Sequence, residues 1–310
     1  MRKDPVFCGN EICCAAYAFV NTVQDASIDY RLFELTSSVP FGVKHQREPD
    51  FSRLLTTFCD PNIGVERGAQ LWGYRQKKEN FTEGREAACY IAEESRERGC
   101  LVGPVDMGRL GYLMLPALYT NMDHYLAVHQ RDGQIFLMDS EGILTRQITK
   151  EEMCHWFDAG NLPEARGCLS VRSFEKKEKM TGRLREEAAI KGSVRWIQNN
   201  MQKAKGGQAV IQCCEWLTEQ SPARWKLSFL YDLSYLMQRK ILQADWFLHA
   251  ERFSVCKEKE SSVNRELVQE QICLLQWIFR LLQKENSVDI ERFYRLAELE
   301  ERLTGYFHIV

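Results

Sequence analysis

Asp123-His124-Tyr125-Leu126-Ala127-Val128-His129-Gln130, then Arg131-Asp132-Gly133, then Gln134-Ile135-Phe136-Leu137-Met138-Asp139-Ser140 is the stretch whose reading decides the fold. Tyr125 to His129 is a short apolar run with β propensity, and Gln134 to Met138 is a second. The residues between them are turn formers, so the spacing predicts a β-hairpin. A histidine opens the first strand and an aspartate closes the second. In an antiparallel pair those ends are neighbours, so an imidazole can meet a carboxylate across the ladder. A general base and its orienting acid need that arrangement.

The missing nucleophile is offered near the N-terminus, where residues 8 to 23 read Cys-Gly-Asn-Glu-Ile-Cys-Cys-Ala-Ala-Tyr-Ala-Phe-Val-Asn-Thr-Val. Asn10 and Glu11 sit where an N-cap and a first-turn acceptor belong. Ala15, Ala16, Ala18 and Phe19 then favour a buried helix. The positive end of a helix dipole favours a thiolate in the first turn. Small residues after the cysteine leave room for a substrate. The same residues also read as a buried helix that happens to contain cysteine.

Outward from these two stretches, residues 28 to 43 read as a short helix running into a Ser/Pro/Gly loop. His45 falls in a polar segment and is expected to be solvated. Phe51, Leu54, Leu55 and Phe58 follow a helical pattern, Asp60 to Gly64 reads as a turn, and 65–74 as a further short helix. Thr82 to Arg98 is amphipathic. Cys100 to Asp106 reads as a buried strand, and the residues up to Pro116 as a loop crossing toward the hairpin. Thr149 and Glu152 suggest a capping box opening a helix over 147–158, in which His155 is a surface or packing residue. A last strand is expected over 167–174.

The charged segment from Glu175 marks a domain boundary. Beyond it, helical patterns cover about 182–204, 208–219, 223–251, 262–284 and 288–304, which makes a helical bundle. The fold class expected is therefore α+β, with a domain over 1–175 followed by an all-α domain over 176–310. The loops at 36–48 and 106–122 are the places where specificity would be set.

Composition excludes several classes. The chain has 310 residues, 45% hydrophobic and 27% charged, with a net charge of −2. Without a basic cluster, nucleic acid and anionic membrane are not expected partners. No apolar run is long enough for a membrane span, and the start turns polar before a signal-peptide core could form. The expected location is the cytoplasm. Twelve cysteines are present, with no Cys-x-x-Cys pair and no zinc-like spacing. No metal and no cofactor are expected. Cys59, Cys89, Cys100, Cys154, Cys168, Cys213, Cys214, Cys256 and Cys273 read as small buried hydrophobes.

A cysteine at a helix start, a histidine opening a strand and an aspartate closing the next give the papain-type order. In this order the N-terminal region resembles the butirosin biosynthesis protein H family, a branch of the papain-like cysteine enzymes related to double-glycine leader peptidases. The resemblance rests on Cys14 followed by small residues and by Asn21, on the strand from Cys100 to Asp106, on His124-Tyr125, and on Asp139. It covers about residues 5 to 145. His129 and Ser140 stand where relatives often carry glycine and proline, and no glutamine-type oxyanion donor is evident.

The resemblance implies a papain-like catalytic domain with Cys14 as nucleophile, His124 as base and Asp139 as orienting acid. Cys13 and then Cys8 are the other candidate nucleophiles. Asn10, Cys13, Asp106 and Tyr125 are candidates for contacting substrate, Asn10 also as an oxyanion donor; Asp106 reads equally as a loop cap. The implied reaction belongs to secondary metabolism. It is acyl transfer from an acyl-thioester donor, a carrier protein or coenzyme A, to a small amine or peptide acceptor. A peptidase or amidase shares the triad, and a non-catalytic binding protein shares the fold. The Trp-rich helical half would suit a homodimer surface.

Overall fold

The computed structural model describes residues 13–46, 55–141, 145–157, 162, 165, 167–177, 182–285 and 287–309. In chain order its elements are α1 (Cys14–Val23), α2 (Tyr30–Thr36), β1 (Val43–His45), β2 (Leu55–Thr57), α3 (Pro61–Leu71), β3 (Tyr74–Phe81), α4 (Gly84–Glu94) and β4 (Cys100–Asp106). Then come two 3-10 turns at Met107–Arg109 and Pro116–Tyr119, β5 (Asp123–Arg131), β6 (Gln134–Met138), β7 (Arg146–Ile148), α5 (Lys150–Trp156) and β8 (Leu169–Lys176). The helices α6 (Gly182–Ala204), α7 (Gly206–Glu219), α8 (Pro222–Arg252), α9 (Glu258–Lys284) and α10 (Ile290–Ile309) complete the chain. The fold is α+β, with a helical C-terminal part.

The chain forms two units: residues 1–34 with 61–185, and residues 35–60 with 186–310. The first is built on an antiparallel sheet of order β3-β8-β4-β5-β6-β7. The β5–β6 hairpin turns through Asp132 and Gly133, at φ 50° and 79°, the left-handed pair of a type I′ turn. Alternate residues on one face, Val102, Leu126, Val128, Leu137 and Val171, enter a core with Ala87, Ala88 and Ile91 of α4 and Met153 of α5. Thr149 and Glu152 close the expected capping box at the start of α5. His155 is exposed on that helix.

Side chains alternate across a strand, so Phe174 of β8 faces the other way, toward α1. There Phe19 stacks on Phe33 at 4.1 Å and meets Phe174 edge-on at 4.8 Å. His129 of β5 reaches the same helix, its Nε2 lying 2.7 Å from the Asn21 carbonyl oxygen. Burial holds this imidazole below its ordinary pKa, against the hydrogen bond to Asn21. It is therefore the neutral ring that donates Nε2–H to the end of α1.

The turn that follows α1 is pinned by Asp25. Its Oδ2 accepts from Tyr74 Oη at 2.7 Å, Lys176 Nζ at 2.9 Å and Arg185 Nη1 at 2.9 Å. Arg185 also donates from Nε and Nη2 to the Trp72 carbonyl, at 2.9 and 2.7 Å.

In the second unit the segment 37–43 is buried. Phe41 lies edge-on to Trp246 and Phe307, at 5.7 and 5.9 Å. Asn200 Nδ2 donates to the Ser38 carbonyl at 2.9 Å, and Gln243 Nε2 to the Pro40 carbonyl at 2.5 Å. The β1–β2 pair adds Val43 and Leu55 to a core with Trp225, Phe229 and Phe293. Lys240 and Glu300 form a buried ion pair within it.

Several expectations are corrected. The units do not divide at 175, because α2 hands residues 35–60 to the helical unit, where Phe41 and Ser38 are buried. Residues 36–43 of the loop at 36–48 are thus interior. Residues 55–57 form a strand, not a helix, since Thr56 and Thr57 are β-branched and pair with Lys44 and Val43. His45 closes β1 and is half-buried, not solvated. Asp60 to Gly64 is not a free turn: α3 starts at Pro61, a residue pre-shaped for a first helical turn. The strand β3 was not expected, because Arg75 to Asn80 carries no apolar alternation. It is an edge strand paired with β8 alone, where charged side chains are the usual occupants. Cys89 and Cys273 are exposed rather than buried.

Burial pushes the Asp25 carboxyl up, but the hydrogen bonds from Lys176, Ser27, Tyr74 and Arg185 prevail and hold it well below the usual carboxylate range. A depressed carboxyl adds stability above its unfolded value of 3.8 that is lost as the pH falls toward its folded value. Replacing Asp25→Asn leaves the buried Arg185 without its carboxylate and is expected to cost about 3 kcal/mol at pH 7. The gap from the wild type narrows as the pH falls below 3.8, as thermal unfolding across that range will register.

Candidate active site

Cys14 is the first residue of α1, and Cys13 is its N-cap, with the Cys13 carbonyl accepting the Tyr17 N–H at 3.0 Å. Residues Ala15 to Thr22 are all buried, so packing fixes the helix axis while Cys14 stays half-buried at its start. The first amide groups of an α-helix have no acceptor within the helix. Ala15 and Ala16 put no bulk over them.

His124 is placed by β4. The β4–β5 register slips between Val102 and Val105, after which Val105 pairs with His124 and Asp106 with Asp123. At the slip, Gly103 passes so close that a Cβ would lie 2.6 Å from Tyr125 Cδ1 and 2.7 Å from the His124 carbonyl oxygen. Only glycine permits that approach. Asp139 follows β6, and its Oδ1 lies 2.6 Å from His124 Nε2. Both side chains are buried, at 2% and 1% exposure. A carboxylate can only accept, so Nε2 donates and the ring presents Nδ1 on its other side. The Cys14 sulfur bears electrostatically on the same ring.

Two further donors hold the aspartate. The Glu141 N–H donates to Oδ1 at 2.9 Å, and the Tyr112 hydroxyl donates to Oδ2 at 2.5 Å. Burial alone would push the His124 pKa down. The adjacent Asp139 charge and the Cys14 sulfur outweigh it, and the imidazole is raised well above 6.5. The ring therefore keeps its proton at neutral pH. Such a site can hold a sulfur nucleophile, a proton and an orienting acid in one line, which is the chemistry of acyl exchange.

Cys14, His124 and Asp139 are thus brought together. The other candidates are placed differently. Asp106 is buried, and its Oδ1 accepts from the Gly108 and Asn121 amides at 2.9 and 2.8 Å. It caps the crossing loop, the second of its two sequence readings. Tyr125 is 1% exposed beneath Gly103, and Cys13 is buried. Both belong to the frame of the site rather than to an open surface. Asn10 and Cys8 lie outside the described residues. Tyr112 was not singled out by sequence reasoning, because a lone tyrosine in a loop carries no spacing signal. Among the described residues, no group of histidine, cysteine and carboxylate side chains could hold a metal ion. Nor is any helix among them long and apolar enough to cross a membrane. Sequence comparison finds no matching family model and no matching curated protein.

The balance at His124 is directly testable. With Asp139→Asn the largest charge opposing burial is removed and only the Cys14 sulfur and a neutral amide remain, so the His124 titration midpoint is expected to fall. NMR of histidine-labelled protein, with His124→Ala for assignment, reads the value. By linkage, the raised wild-type group contributes stability in full below about pH 6.5. That contribution is lost as the pH rises through its folded value.

Proposed function

We propose that the chain is a cysteine-dependent acyltransferase with a papain-like catalytic arrangement, similar to the butirosin biosynthesis protein H family. The observation that carries the reading is one buried imidazole, His124, that the Asp139 carboxylate holds at 2.6 Å and on which the Cys14 sulfur at the start of α1 also bears.

In the first half-reaction Cys14 Sγ attacks the thioester carbonyl, its proton residing on His124. The new C–S bond forms a tetrahedral oxyanion, which the first amides of α1, having no acceptor within the helix, are suited to stabilise. Collapse breaks the donor C–S bond, and the departing thiolate takes the proton from His124. Thiol-for-thiol exchange is close to isoenergetic, which suits a thioester donor. In the second half an amine attacks the acyl-enzyme, His124 accepts the N–H proton, and the Cys14 sulfur leaves. Asp139 keeps the ring in one tautomer throughout. The donor is a carrier-protein or coenzyme A thioester and the acceptor an amine. Water in place of the amine would make the same site an amidase.

Intact-protein mass spectrometry after mixing with a panel of acyl thioesters tests the reading. A mass increase of one acyl group is expected, absent in Cys14→Ala, present in Cys13→Ala, and released by an amine faster than by buffer. His124→Ala is expected to slow acylation by about 10²–10⁴-fold. Release in buffer alone at the same rate would assign a hydrolase. An adduct-free Cys14, with alkylation no faster than at Cys89 and Cys273, would leave a binding protein.

A further inference from the structure

We propose that Tyr112 is a positioning residue of this site, fixing the Asp139 carboxylate so that Oδ1 alone faces His124. The inference rests on the acyl-transfer reading for its kinetic arm only. Among the described residues the two Asp139 oxygens meet His124 Nε2 and the Glu141 amide on Oδ1, and the Tyr112 hydroxyl on Oδ2. At 1% exposure Asp139 has almost no water to turn to, so the tyrosine sets which way the carboxylate points.

Tyr112 is itself held from two sides. Its ring meets Trp156 of α5 edge-on at 5.3 Å, and Arg146 lies over that indole at 5.1 Å while pairing with Glu152 at 2.8 Å. Its loop is closed at the neck, where Asp106 Oδ1 ties Gly108 to Asn121 and the Met107 amide donates to the Met122 carbonyl at 2.9 Å. A tyrosine on a free loop would follow Asp139; this one is fixed by groups that do not touch the triad.

A neutral donor on Oδ2 also draws charge away from the oxygen that faces the imidazole. Among the groups bearing on Tyr112 are Asp139, Arg146 and Glu141, and among those bearing on His124 are Asp139 and Cys14. Burial and the Asp139 charge together keep the phenol well above 10, so it remains a donor across the working pH range. Without the hydroxyl the carboxylate charge falls more fully on the imidazolium. The ring then becomes a weaker acid toward the leaving thiol.

The test compares wild type, Tyr112→Phe, Trp156→Phe, Asp139→Asn and the Tyr112→Phe/Asp139→Asn double variant. The His124 midpoint is read by NMR, and the single-turnover rate and apparent affinity are read with an acyl thioester. Tyr112→Phe is expected to raise the His124 midpoint and slow acylation about tenfold with affinity unchanged, one factor of ten being about 1.4 kcal/mol in the barrier. Trp156→Phe is expected to act in the same direction and more weakly. In the Asp139→Asn background, Tyr112→Phe should leave His124 unmoved. An unchanged or lowered midpoint in Tyr112→Phe, or an equal shift in both backgrounds, overturns the assignment. If Tyr112→Phe does not fold, Trp156→Phe decides: a raised midpoint supports the assignment and no shift overturns it. The NMR arm needs no substrate, so it stands or falls separately from the acyl-transfer reading, which the thioester panel alone decides.

Discussion

A buried imidazole and a buried carboxylate, His124 and Asp139, are held 2.6 Å apart with almost no access to water. Taking two charges out of water costs several kcal/mol for each, and the cost is recovered only where the remaining polar atoms are satisfied. The first unit is arranged to satisfy them. The Glu141 amide and the Tyr112 hydroxyl complete the carboxylate, and the Cys14 sulfur bears electrostatically on the ring. Each partner is delivered by a different part of the chain. The bulge at Gly103 sets His124, the end of β6 sets Asp139, the packed helix α1 sets Cys14, and the clamped loop sets Tyr112. Loss of any one would leave a buried charge short of a partner.

The strand β5 shows how finely the surroundings set protonation. His124 and His129 lie five residues apart on it. One is raised by Asp139 and Cys14, and the other is lowered by burial with only a backbone carbonyl to meet. Both rings are desolvated; the difference is whether the partner carries a full negative charge. A neutral His129 suits the end of a helix already served there by Gln24 Nε2 at 2.6 Å. A charged ring would leave the buried end of α1 with a cation and no counter-ion. The two histidines thus give the strand an end held by a charge and an end held by a backbone carbonyl.

The hairpin, the buried strand before it, the capping box of α5 and the long helices were legible because period and turn chemistry are local. The pairing of His124 with Asp139 was legible for the same reason, since a short hairpin fixes which ends meet. The edge strand β3 was not, because its charged residues carry no alternation and its identity comes from β8. The transfer of residues 35–60 to the helical unit was not, because burial of Ser38 and Phe41 depends on Asn200, Trp246 and Gln243, which lie far along the chain. Tyr112 was illegible on both counts: its partner is 27 residues away, and no local pattern marks it.

Cysteine count alone would have hidden the site, since none of the eleven described cysteines is in a disulfide. Burial separates most of them. Desolvation pushes Cys100 up to about 12 and Cys214 to about 11, and raises Cys213 well above 9. These thiols remain protonated and behave as small hydrophobes. Cys89 and Cys273 are exposed. Burial gives an inert thiol. Cys14 differs from both groups in combining partial exposure with an electrostatic bearing on an imidazole that a buried carboxylate orients. What sets Cys14 apart is therefore where α1 begins relative to β5, and not the cysteine's own neighbours in sequence.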